Sequence, residues 1–330
     1  MTWLTWRQFR IPAGSVYAAL VAIGVILAIT GPELVGRTDF SDMDVLFGGT
    51  ILVMYVLPAV VGVFWGVPLV TRELETGTHN LVWNQSITRK RWLATKLGVG
   101  VLTTVVAAAL LATAVTWWAS PIDTLASADD NGFEQTRMSP VVFAARGIAP
   151  IGYAAFAFVL GVAVGLVLRR TVAAMAVTLA VFAAVMVAIP FLVRPYVLPP
   201  AEDTVTITAS NIRQIVGNES GVIEEMTVST PAGAWMLTNE TVDSSGTAIS
   251  PLPDAVQDCV PRPDDAIARA PSRMSITECI AQLSDLGYTQ RVTYQPGSRF
   301  WPLQWIETGL FLALSALLTW FCFRRIRHVS

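Results

Sequence analysis

Charge is what this sequence has least of. Asp, Glu, Lys and Arg make up 14% of its 330 residues, against about a quarter in an ordinary soluble domain. Lysine occurs only at Lys90 and Lys96, histidine at His79 and His328, and cysteine at Cys259, Cys279 and Cys322. Each scarcity excludes something. Two lysines leave no G-x-x-x-x-G-K-[ST] phosphate loop, so no nucleotide cofactor is expected on this chain. Two distant histidines give neither H-E-x-x-H nor a Ser-His pair within the apolar stretches, so no catalytic residue and no metal site is expected. A formal net charge of −2 supplies no field for a polyanion, and nucleic acid is not an expected partner.

The charge deficit is concentrated. Five windows hold no charged residue: Ile11–Pro32, Val45–Thr71, Leu97–Ile122, Gly147–Leu168 and Thr171–Val193. They span 22, 27, 26, 22 and 23 residues, and a bilayer core needs about 20. A sixth window, Thr308–Phe323, has 16. The fold class expected is an all-α polytopic membrane protein with six spans. Trp3, Leu4, Trp6 and Phe9 mix with Arg7 and Arg10 ahead of the first span, the composition of an interfacial helix rather than of a cleaved signal. A charge-poor interior suits lipids, lipophilic drugs or amphipathic peptides, on composition alone.

Positive charge sets the orientation. Residues 1–10, Arg72–Lys96, Arg169–Arg170 and Arg324–Ser330 carry twelve of the 22 Lys and Arg and only two acids, Glu73 and Glu75. They are expected in the cytoplasm, with both termini. Glu307 is expected at headgroup level beside Trp301 and Trp305; the alternative is a pathway-lining role. Gly161-Val-Ala-Val-Gly165 is a GxxxG, read as packing within the chain more readily than as a dimer seam. Pro58, Pro68 and Pro190 should kink or end their helices.

Between spans five and six lies a long polar segment. Thr204–Thr208 and Glu225–Ser229 alternate as strands do. Ser275–Leu286 has the start, spacing and glycine stop of a short helix. This reads as a small α+β extracytoplasmic domain. Cys259 and Cys279 share its oxidising side and are expected to form a disulfide.

The loop between spans two and three carries the most specific pattern. The second span can stay helical to Glu75, Gly77 suits a left-handed helix end, and Thr78 can cap a short helix over Asn80–Gln85. Thr88 can cap the third span. Leu81, Val82 and Trp83 on the short helix invite a protein partner. Glu73-Leu-Glu-Thr-Gly-Thr, a short helix and then Thr-Arg-Lys-Arg resemble the permease subunits of type-2 ABC exporters, most closely actinobacterial ones with Glu-Leu-Glu-Thr-Gly-Thr-His and Trp-Asn-Gln-Ser. The Trp-Arg-Gln-Phe-Arg start resembles their interfacial helix. The long outer segment departs from the family pattern.

The resemblance implies an ATP-driven exporter subunit in a bacterial cytoplasmic membrane. ATP and Mg would be held by a separate ABC ATPase chain, and a second copy or a homologous permease would complete the pathway. Glu73, Glu75, Gly77, Thr78, Leu81, Val82, Trp83, Asn84 and Gln85 would form the coupling element. The division expected is residues 1–193 for spans one to five with a coupling loop at 72–91, residues 194–300 for the outer domain, and residues 301–330 for the sixth span and basic tail. The competing reading is a receptor or immunity protein that binds a ligand with the outer domain, which needs no coupling helix.

Overall fold

The structure is a computed structural model describing residues 2–37, 39–77, 88–128, 136–218, 222–253, 257 and 276–328. Its helices are α1 (Thr2–Thr30), α2 (Asp44–Val60), α3 (Pro68–Glu75), α4 (Arg89–Ala128), α5 (Ala149–Leu168), α6 (Thr171–Ala188), α7 (Ile276–Asp285) and α8 (Phe300–Arg325). Single turns occur at Pro140–Phe143 and Arg194–Val197. The strands are β1 (Ala201–Thr206), β2 (Ile212–Gly217), β3 (Ile223–Val228), β4 (Trp235–Val242) and β5 (Thr289–Gln295). Among the described residues six helical stretches are long and apolar enough to cross a membrane. The chain is a multi-pass membrane protein.

The chain forms two compact units. One comprises Met1–Leu125, Pro140–Val197 and Phe300–Ser330; the other comprises Ala126–Ser139 and Leu198–Arg299.

In the first unit α5 is the central helix. Most of its side chains are buried, from Tyr153 through Phe156, Phe158 and Val162 to Leu166. Its small residues let neighbouring backbones close in. A Cβ on Gly161 would stand 2.2 Å from the Gly62 carbonyl oxygen, and one on Gly66 would stand 2.4 Å from that of Phe158. The GxxxG thus serves a contact within the chain.

Pro58, Pro68 and Pro190 sit where the helices widen. Pro58 lies in the last turn of α2, just ahead of a π-helical stretch at Val61–Gly66, and Pro68 opens α3 just after it. Pro190 lies inside a second π-helical stretch, Ile189–Val193. A proline has no N–H and its ring collides with the carbonyl four residues back. Looser winding accommodates that defect, as in the 3.1 Å bond from the Val67 amide to the Gly62 carbonyl, five residues back.

The N-terminal stretch is helical and continuous with the first candidate span, Ala13–Leu34. α1 runs from Thr2 to Thr30 and contains Pro12, two residues beyond Arg10. The sixth span also begins earlier than its apolar run, with seven residues of α8 preceding Glu307.

The second unit contains a three-stranded antiparallel sheet, ordered β1-β5-β4, and a two-stranded hairpin, β2-β3. A small core of Ile207, Ile223, Met226, Leu252, Ile280 and Leu283 holds α7 against the hairpin. Buried amides stitch the strands together. Gln290 donates to the Met226 carbonyl at 2.7 Å and to Asn239 Oδ1 at 2.7 Å, and accepts from the Thr241 hydroxyl at 2.9 Å. Asn239, though in an Asn-Glu-Thr sequon, is enclosed in this network.

Candidate functional site

The two shoulders of the loop between spans two and three are fixed by buried polar contacts. α3 presents Leu69 and Glu73 on one face, four residues apart, and α4 presents Trp92 and Lys96 likewise. Lys96 Nζ donates to Glu73 Oε1 at 2.6 Å and to the Leu69 carbonyl at 2.9 Å. Trp92 Nε1 donates to Glu73 Oε2 at 3.2 Å, and Lys96 Nζ lies 4.6 Å from the Trp92 ring centroid. The Lys96 and Glu73 side chains are 5% and 17% exposed. An ion pair this buried is fully engaged by hydrogen bonds, and removing one partner from such a pair costs about 3–5 kcal/mol. The buried partner of Glu73 is Lys96, on α4.

Glu75 binds elsewhere. Its Oε1 accepts the Thr171 amide at 2.7 Å and its Oε2 accepts the Thr171 hydroxyl at 2.7 Å. Thr171 Oγ1 also lies 2.8 Å from Thr71 Oγ1. Thr171 begins α6, and the residue before it, Arg170, gives no side-chain cap. A carboxylate from α3 therefore caps the fifth span, where the free amides and the helix dipole favour negative charge. The turn that presents Thr171 is tight. Arg169 ends α5 with φ 53°, its amide bonded to the Gly165 carbonyl at 3.0 Å.

Between these shoulders the helix ends as its residues dictate. The Thr76 amide and hydroxyl both bond the Arg72 carbonyl, at 3.2 and 2.8 Å. Gly77 has φ 70°. Thr88 Oγ1 accepts the Arg91 amide at 3.3 Å and so caps α4. Thr78, Leu81, Val82, Trp83, Asn84 and Gln85 lie outside the described residues, as does Cys259. Of Cys279 only the backbone, in α7, is described.

Glu307 is buried among the helices. Its side chain is 6% exposed and lies inside the bundle. Arg194 Nε donates to its Oε2 at 2.8 Å and Arg194 Nη2 to its Oε1 at 2.9 Å. The Tyr153 hydroxyl donates to Oε1 as well. Arg194 Nη1 reaches the Pro140 carbonyl at 3.0 Å, and its guanidinium stacks 4.2 Å from the Phe143 ring centroid. Arg194, the partner of Glu307, is the first charge after the fifth apolar window. Ile189, Val193, Leu303, Ile306 and Leu310 line an apolar recess beside this pair. Trp301 and Trp305, by contrast, are exposed.

The polar groups in both places hold helices together. No curated protein and no solved structure matches the chain. Residues 35–194 are matched by the family described as ABC-2 membrane transporter related. They run from the end of the first span to the arginine that closes the fifth. With the six spans, this similarity supports a membrane transporter subunit, a permease of the ABC-2 type.

Proposed function

We propose that this chain is the membrane half of an ATP-driven exporter, coupled to a separate ABC ATPase through the loop between spans two and three. The ATPase binds ATP and Mg. Two permease copies, or this chain and a homologue, enclose the pathway. The basic segments face the cytoplasm, and the polar domain faces the opposite, oxidising side, where Cys259 and Cys279 pair.

The observation that carries this reading is the hold on the loop from both shoulders. Glu73 ties α3 to α4 through Lys96, and Glu75 ties α3 to the first residue of α6. A push on the loop then reaches three spans at once. A ligand-binding receptor has no need of that linkage.

Two variants test it. Gly77→Val forces a β-branched residue into φ 70°, which strains the turn. Trp83→Ala removes an aromatic anchor of the type that dominates protein interfaces. Both are expected to insert in the membrane at normal levels. Both should lose co-purification with a Walker-A ATPase, or lose vanadate-sensitive ATP hydrolysis stimulated by the permease. If both variants keep partner and hydrolysis, the loop is not the coupling element and the receptor reading takes precedence.

A further inference from the structure

The spans do not share one apolar core along their whole length. At the end of the bundle that carries Trp92, one cluster joins nearly every span: Ala13, Val61, Trp92, Val162 and Cys322 all belong to it. At the other end there are two clusters. One holds Leu27, Met54, Val115 and Trp118, from α1, α2 and α4. The second holds Tyr153, Phe182, Met186 and Phe311, from α5, α6 and α8, with Tyr55 and Ala59 of α2 packed against its edge. Neighbouring residues Ala144 and Ala145 fall one in each. A seam therefore passes through the segment that leads into α5.

That segment is fastened on both sides. On the side of the later spans, Gln304 donates to the Phe143 carbonyl at 2.9 Å and accepts the amides of Ile148 and Ala149 at 3.0 and 2.8 Å. Arg194 holds the Pro140 carbonyl at 3.0 Å. Across the seam run other polar ties. The Tyr55 hydroxyl donates to the Val141 carbonyl at 3.2 Å, and the Gly147 amide donates to Thr116 Oγ1 at 3.0 Å. Arg146 Nε stands 3.4 Å from Asp123 Oδ2.

Arg146 is the anomaly. Its side chain has no exposure, yet Nε and Nη2 make no hydrogen bond among the described residues. Nη1 reaches only the adjacent Ala145 carbonyl, at 3.4 Å, and the Phe47 ring centroid lies 5.0 Å from the guanidinium carbon. Arg194, buried to the same degree, has every nitrogen engaged. A buried charge with unsatisfied donors pays its desolvation without the hydrogen bonds that would repay it. Water would restore them.

We propose that spans one to three and spans four to six part along this seam, hinging on the shared cluster, and that Arg146, buried beside Asp123 with donors unsatisfied, drives the parting. Closing the seam strips the pair of water; opening it hydrates both charges. The pair thus sets how readily this end of the bundle opens. The proposal concerns motion within one chain and does not rest on the coupling loop, so its failure leaves the proposed function untouched.

Three adjacent amides report the seam. Gly147 is bonded across it, whereas Ile148 and Ala149 are bonded within the later half. Residue-resolved hydrogen exchange on the full-length protein in lipid nanodiscs should find Gly147 exchanging at least about tenfold faster than Ile148 and Ala149, after correction for intrinsic rates. The double variant Arg146→Met with Asp123→Leu removes the charges. It should slow Gly147 toward its neighbours, leave those two unchanged and raise the melting temperature. Asp123→Leu alone leaves Arg146 without its counter-charge and should speed Gly147 further. Equal protection of the three amides in the wild type, or a double variant in which Gly147 exchanges as fast as before, overturns the proposal.

Discussion

Arg194 closes two nitrogens of its guanidinium on the two oxygens of Glu307, at 2.8 and 2.9 Å, across 113 positions of sequence. The pair joins the end of the fifth span to the start of the sixth, and Tyr153 ties it to the central helix. Glu307→Gln removes the negative charge and leaves a buried guanidinium without its counter-ion. The expected loss of stability is about 3–5 kcal/mol, read as a large fall in melting temperature in detergent. Replacing both partners with apolar residues, Arg194→Met with Glu307→Leu, should recover most of that loss, because no stranded charge remains. An interfacial Glu307 would instead tolerate the single change, so a near-normal melting temperature for Glu307→Gln would show that the burial is not maintained in the membrane.

Glu75 offers a second test, one that separates coupling from folding. Its carboxylate reaches the amide and hydroxyl of Thr171 from another helix. Glu75→Ala leaves the first turn of α6 uncapped from outside but removes no buried apolar contact, since Glu75 is exposed. The variant should insert and fold normally. It should retain the ATPase yet show reduced permease-stimulated ATP hydrolysis. Glu75→Gln, which can still accept through its amide oxygen, should fall between the two. A Glu75→Ala protein with full stimulation would remove Glu75 from the coupling path.

What could be read in the sequence divides along physical lines. Span positions, the glycine at position 77 and the Thr88 cap rest on local signals: run length, backbone freedom and a side chain three residues from an amide. Partners rest on distance in space, which a run of letters does not carry. The partners Lys96 for Glu73, Thr171 for Glu75 and Arg194 for Glu307 lie 23, 96 and 113 positions away. Strands β1 and β3 overlap the two alternating stretches, whereas β2, β4 and β5 carry no such signal, β5 being the clearest case. Its buried side is Gln290, Val292 and Tyr294, and a strand that buries a glutamine does not alternate cleanly in polarity. The continuous first helix was hidden for another reason. Aromatic and basic residues ahead of an apolar run suit an interfacial helix and the first turns of a long one equally well.

The polar unit carries a pH-sensitive turn. Asp243 Oδ1 accepts the Ser245 hydroxyl at 2.6 Å, the Ser245 amide at 2.8 Å and the Thr247 amide at 3.0 Å. These bonds, the Ser245 hydroxyl first, hold its carboxyl below the ordinary value of 3.8. They favour the ionised form, so their stabilising effect is complete above the unfolded value and is lost as the pH falls through the folded one. The amide resonances of Ser245 and Thr247 should titrate together, with a midpoint below 3.8. In Asp243→Asn that titration should vanish. A midpoint at or above the ordinary value would mean that the turn does not hold the carboxylate in solution.

The close approach of α5 to the π-helical stretch at Val61–Gly66 makes the last prediction. Gly62, Gly66 and Gly161 let two backbones touch, and a Cβ at Gly161 would meet the Gly62 oxygen at 2.2 Å, with the Gly62 carbonyl carbon and the Val67 amide nitrogen at 3.1 Å. These are backbone atoms, which cannot swing away as a flexible side chain does, so the helices themselves must separate. Gly161→Ala should therefore destabilise the bundle by about 1–3 kcal/mol, the usual cost of overpacking. Gly24→Ala is the control, because a Cβ there meets nothing within 4 Å. It should stay within about 1 kcal/mol of the wild type, helped by the better helix propensity of alanine. Thermal denaturation of both variants in the same detergent decides the matter. Equal melting temperatures would mean that the two backbones stand further apart in the membrane than their glycines permit.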